Sequence, residues 1–204
     1  MLIDLGNRLA RVRRALRSRV LRRLGGFASC GRASIDPGVR IDNPGGMRIG
    51  DGVLLLRGTW LYCIPGAPGE PAPELVLGER TYVGFGCHLT CARRVHLGPG
   101  CLLGNGVYIA DNQHRFEDVG RAPLEQGLRV GEVEVGEGTW IGEHAAIFGT
   151  VHLGRHCVVG AGAVVTDRDF PDYCVIVGAP ARIVKRFDPA AREWRRTDPD
   201  GGFA

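Results

Sequence analysis

Residues 135–164 read VGEGTW IGEHAA IFGTVH LGRHCV VGAGAV, five consecutive windows of six without a gap. The same template fits LGERTY, VGFGCH and LTCARR from Leu77, LGPGCL, LGNGVY and IADNQH from Leu97, and IGDGVL and LLRGTW from Ile49. All thirteen windows open on Ile, Leu or Val, nine have Gly second, and eleven have a small residue fifth. Neither a helical period of 3.6 nor a strand period of 2 gives one aliphatic residue every six. The unit reads as a short strand followed by a bend: the aliphatic points inward, Gly permits the bend, and the small fifth residue fits where the wall turns. Three units close a triangular coil, and stacked coils bury ladders of Ile, Leu and Val. The expected fold is therefore an all-β solenoid. Cys87, Cys101 and Cys157 fall at the fifth place and read as core residues, not nucleophiles.

The rest of the composition agrees. The 204 residues hold 32 Gly, about twice the usual ~7%, and the other proportions are those of a soluble globular protein. A net charge of +4, carried by Arg with Lys185 the only lysine, does not call for nucleic acid. No apolar run approaches the ~20 residues of a membrane span, and the N-terminus lacks the apolar stretch of a secretion signal. Seven Cys, an odd count with no CxxC, suggest reduced thiols and a cytoplasmic location. Cys87 and Cys91 lack a second pair at zinc spacing, so no metal is expected.

Around the repeats, three segments are expected. Residues 1–30 hold a basic amphipathic helix, with Leu2, Leu5, Leu9, Val12, Leu16 and Val20 on one stripe and eight Arg among residues 8–23. Two readings stay open for it: a cap on the open end of the solenoid, or contact with the inner face of a membrane. Residues 31–186 form the solenoid, broken by loops at 61–74 and 111–134. Residues 187–204 are expected to form a short C-terminal helix and tail, with Asp188 as N-cap and Pro189 at the first helical position.

The second loop, DNQHRFEDVGRAPLEQGLRVGEVE, holds the chemistry. His88, His96, His144, His152 and His156 keep repeat register and read as wall residues, whereas His114 lies where the repeat fails. A neutral imidazole is the usual general base near neutral pH once a partner fixes its tautomer. Asp111, Asn112 and Glu117 beside it are candidates for binding an acceptor.

DNQHRFED, then the Gly/Pro loop ending EQGL, then the 135–166 repeats with their TWIG step and the VIVGAPARIV terminus resemble the hexapeptide-repeat, left-handed parallel β-helix family of acyl-CoA-dependent O-acetyltransferases. The maltose, galactoside and nodulation types and the polysaccharide and O-antigen types are similar. Members of the polysaccharide branch often carry a DHxH segment, whose first His is replaced here by Asn112. The resemblance implies acetyl-CoA as co-substrate, a sugar or polysaccharide-precursor hydroxyl as acceptor, His114 as base, and backbone N–H groups of a Gly-rich wall as oxyanion donors. It places Trp140 and Gly142 in the active-site cleft, and Ala161, Gly162 and Thr166 along the pantetheine arm. Arg168, Arg182 and Lys185 are similar in placement to phosphate-binding residues, with Asp167 and Arg168 competing for one position. It also implies a homotrimer with clefts between neighbours. Acetyl transfer to an antibiotic or amino sugar, and a non-catalytic scaffold or binding module, are the alternatives.

Overall fold

The computed structural model describes residues 2–66, 71–198 and 201–203; of residues 2–11 it describes the backbone. Strands stack into a left-handed parallel β-helix of triangular section. Taken in chain order, face A carries Ser29–Cys30, Met47–Ile49, Glu74–Leu77, Arg94–Leu97 and Glu132–Val135. Face B carries Ser34–Ile35, Leu54–Leu55, Tyr82–Val83, Leu102–Leu103, Trp140–Ile141, Val158–Val159 and Cys174–Val177. Face C carries Arg40–Asp42, Trp60–Cys63, His88–Cys91 and Tyr108–Ala110. The strands Ala146–Leu153 and Val164–Phe170 run along face C and continue around the corner onto face A. Neighbouring coils pair in parallel and in register, Leu102 opposite Trp140 and Val95 opposite Val133.

The repeat template maps onto this geometry place by place. Every first-place aliphatic, from Ile49 to Val159, is buried, and so are fifth-place residues such as Thr81, Cys101, Thr139, Ala145 and Cys157. All seven cysteines are free thiols. Burial pushes the Cys101 thiol up to about 11, which keeps it protonated and inert. Second-place Gly has a different role from the one its sequence suggests. The bend falls at the fourth place, where Gly138 has φ 66° and His156 has φ 51°. At Gly136, in second place, an added Cβ would lie 2.4 Å from the backbone nitrogen of Arg155 in the next coil. That glycine is required by the close approach of stacked turns. His144, with φ 56°, likewise sits at a corner, so His144 and His156 are turn residues and not wall residues.

Both loops leave the solenoid at one corner, between faces C and A. The first spans residues 64–73, because Trp60–Cys63 and Glu74–Leu77 continue the ladder. The second forms an arm in which Asn112–His114 pairs antiparallel with Leu128–Val130.

At the start of the chain, α1 (Leu2–Leu24) packs against the first coil. Arg14 pairs with the buried Asp36, Arg17 Nη2 donates to the Val39 carbonyl at 2.7 Å, and Leu21 packs on the core. It therefore caps the solenoid. The expected C-terminal helix does not form. Arg182–Asp188 and Glu193–Arg196 make an antiparallel hairpin that extends face B beyond Cys174–Val177. Asp188 Oδ1 does accept from the N–H groups of Ala190 and Ala191, as an N-cap would. Arg192 then turns at φ 54°, and Phe187 meets Trp194 edge to face at 5.8 Å between ring centroids. The aromatic pair and the sheet edge outweigh a helix too short to be stable in isolation.

Candidate active site

The arm carries His114 clear of the solenoid. His114 is exposed and lies opposite Leu128. Interactions across the loop hold its shape. Gln126 accepts from the Asp118 N–H at 3.0 Å and donates to the carbonyls of Asp118 and Arg121, each at 2.9 Å. Gln126 was not singled out from sequence, although its place in EQGL at the end of the loop is the signal that marks it.

The acidic neighbours expected to serve the site are otherwise engaged. Asp111 is fully buried, and its carboxylate accepts from the N–H groups of Ala92, Arg93 and Arg94 at 2.6–2.7 Å. Those residues form the same corner one coil earlier. Asn112, also buried, donates to Asp111 Oδ1 at 2.9 Å. Both residues anchor the base of the arm: three backbone N–H groups and the Asn112 amide occupy the Asp111 carboxylate. Glu117 accepts from the Phe116 N–H at 3.0 Å, and hydrogen bonds from its own N–H and that of Phe116 hold its carboxyl below the usual range. Among the described residues no carboxylate hydrogen-bonds the His114 ring.

The residues expected to meet the cofactor fall into three groups. Trp140, half exposed, stands on face B, with Gly142, Ala161 and Gly162 on the adjoining corner between faces B and C. That corner is a narrow ridge of small residues. A Cβ at Gly142 would lie 2.6 Å from the Ala161 nitrogen, and one at Gly162 would meet nothing. The N–H groups of Gly142 and Gly162 already donate to Val159 and Glu143. The N–H groups of these two glycines are thus committed to the ladder.

Thr166 and Arg168 lie across face C, at the corner from which the arm springs. Asp167, between them, accepts from the Thr150 N–H at 3.0 Å and pairs with Arg129 of the arm at 3.4 Å. Asp167 therefore ties the arm to the corner, while the Arg168 guanidinium lies over Phe170 at 5.5 Å. Arg182 and Lys185 stand on the C-terminal hairpin at the end of face B. One protomer thus carries His114 on an arm rooted at the corner of Thr166 and Arg168, and leaves the ridge of Trp140, Gly142, Ala161 and Gly162 at another corner.

Two of the other histidines have local partners that shift them. His152 Nδ1 donates to Asp169 at 2.6 Å, and Asp169 with Glu132 raises its pKa above the usual imidazole value. Burial lowers that of His88, whose ring stacks on Trp60 at 4.4 Å.

The model of the hexapeptide repeat of succinyl-transferase matches residues 75–110 and 132–167, the coils on either side of the arm. The chain is 33% identical over 112 residues to a Mycobacterium tuberculosis protein named as an acetyltransferase, covering 55% of this chain and 37% of that protein. It is 28% identical over 116 residues to an Escherichia coli protein named for lipopolysaccharide-biosynthesis O-acetyl transfer, covering 53% and 59%. The chain spans about half the length of the curated relatives it matches, between 37% and 59% of each. Among solved structures, the N-acyltransferase AntD from Bacillus cereus, in complex with dTDP and coenzyme A, superposes with a TM-score of 0.71 at 19% identity, over 85% of this chain and 90% of that one. A maltose O-acetyltransferase from Clostridium difficile superposes with a TM-score of 0.56 at 19% identity, over 87% and 88%. Two stretches of the chain thus match the hexapeptide repeat, and the solved structures share its left-handed β-helix fold.

Proposed function

We propose that the protein transfers an acetyl group from acetyl-CoA to a hydroxyl of a sugar or polysaccharide precursor, with His114 as general base. The observation that carries this reading is the arm, a two-stranded excursion that holds one exposed imidazole where the coils are interrupted. A hydroxyl is a poor nucleophile until a base takes its proton as it attacks the thioester carbonyl. His114 takes that proton and returns it to the departing thiolate, so no covalent acyl-enzyme is needed. Coenzyme A supplies the activated acyl group. The ridge of Gly142, Ala161 and Gly162 offers its pantetheine arm a track free of long side chains, with Thr166 further along. Arg168, Arg182 and Lys185 offer cations to its phosphates.

The site we infer is shared between protomers of a homotrimer. Two features support it. Outward side chains on face B form an apolar ladder of Leu54, Tyr82, Leu102, Trp140 and Val158, in register across five coils. The arm exposes Phe116, Val119 and Leu124. Such surfaces call for a partner, and an arm resting on a neighbour's ridge would bring the separated groups together.

A second reading, acyl transfer to the amine of a nucleotide-linked amino sugar, is favoured by one likeness: AntD has been solved with dTDP-4-amino-4,6-dideoxyglucose and coenzyme A. An acceptor screen with acetyl-CoA, reading release of free thiol, tests the proposal. Turnover on sugar hydroxyls is the expected result. Turnover confined to amino sugars selects the second reading, and none on either class removes both.

A further inference from the structure

The helix α1 uses only one side to cap the solenoid. Arg14, Arg17, Ser18 and Leu21 face the first coil, and the Ser18 hydroxyl accepts from the Ile35 N–H at 2.8 Å. Away from that contact, a row that starts on the opposite side and winds around the helix carries Val12, Leu16, Val20 and Leu24, which are 64%, 61%, 46% and 81% exposed. Their spacing of four makes one continuous strip along the helix. A cap needs no such strip, because the docked side already satisfies the solenoid end. Exposed Arg13, Arg19 and Arg23 border it. On the flank, between α1 and the first coil, lies a recess of about 330 Å³ lined by Arg19, Arg22 and Arg32 with Ser18 and Ser34. No carboxylate lines it.

We propose that this end of the solenoid seats on an anionic phospholipid surface. The aliphatic strip enters the interface, and the three-arginine recess takes a lipid phosphate. Charge selects this occupant over a second copy of the chain. Residues 2–24 hold eight Arg against the single acid Asp4, so two such helices repel one another. The same balance attracts a negatively charged bilayer. No helix among the described residues is long and apolar enough to cross a membrane, so α1 lies in the plane of the interface. Guanidinium groups suit the phosphate oxygens through paired N–H donors. Binding of this kind is independent of acyl transfer.

Co-sedimentation of the full chain with phosphatidylcholine vesicles, with and without phosphatidylglycerol, tests the assignment. Two double variants accompany it, Leu16→Glu with Val20→Glu, and Arg19→Gln with Arg32→Gln. The substituted aliphatics are exposed, and circular dichroism melts verify that both variants fold. The full chain should bind the phosphatidylglycerol vesicles at least about ten-fold better than phosphatidylcholine alone, and added salt should narrow the gap. The Glu variant should lose about ten-fold or more in binding. The Gln variant should lose the preference for phosphatidylglycerol. Equal binding to both vesicles, or no loss in the Glu variant, overturns the proposal. So does a fall in assembly mass for the Glu variant by light scattering, which would make the strip a contact between copies.

Discussion

At the residue scale, His114 and Asp111 are three positions apart and do opposite work. His114 is exposed on the arm and available to a substrate, so removing its imidazole should spare the fold. A well-placed base contributes about 10²–10⁴-fold, so His114→Ala should lose kcat within that range on a verified acceptor. His144→Asn should keep far more, because His144 is a corner residue with a structural φ. Initial velocities at saturating acetyl-CoA decide this. Asp111 is buried and holds three backbone N–H groups of the preceding coil. Asp111→Ala would leave those donors without a partner, at about 1–3 kcal/mol for each one that water does not reach. A thermal melt should show Asp111→Ala several degrees below the parent protein, whereas an acceptor-binding role would appear as a raised KM at unchanged stability. Sequence could not separate the two residues. The donors to Asp111 come from Ala92, Arg93 and Arg94, 17 to 19 positions earlier, and only the coil stacking brings them together.

At the scale of the element, the six-residue unit was legible because its signal is local. The first-place aliphatics and fifth-place small residues point inward as their spacing requires. What the second-place glycine does was not legible, because its neighbour is in another coil. Gly136→Ala tests that account. The new Cβ must push against the Arg155 backbone 2.4 Å away, and strain of this kind costs about 1–3 kcal/mol. Urea unfolding should report a loss of that size, and no loss would mean that the turns can part freely. The C-terminal segment shows the converse limit. An Asp-Pro start reads equally as a helix cap or as a turn, and the pairing of Phe187 with Trp194 across the hairpin settles it in favour of the turn. The arm stood out in sequence as a break in the repeat, yet its antiparallel pairing of Asn112–His114 with Leu128–Val130 carries no periodic signature over so few residues.

At the scale of the whole molecule, the expected site residues do not meet within one chain. His114 stands on an arm at one corner, and the ridge of Trp140, Gly142, Ala161 and Gly162 occupies another. The reading proposed here needs a neighbour's ridge beneath each arm, in a closed ring of three. Mixing two inactive variants tests that arrangement and the role of His114 together. His114→Ala removes the base and keeps the ridge. Ala161→Trp blocks the ridge at an exposed position and keeps the base. Each variant alone should be nearly inactive. After dissociation and reassembly in equal amounts, sites that pair an intact arm with an intact ridge should form at random, and about one quarter of the parent activity should return. Mixed trimers, verified by mass, that show no recovery would contradict the shared site and the assignment of its base to His114.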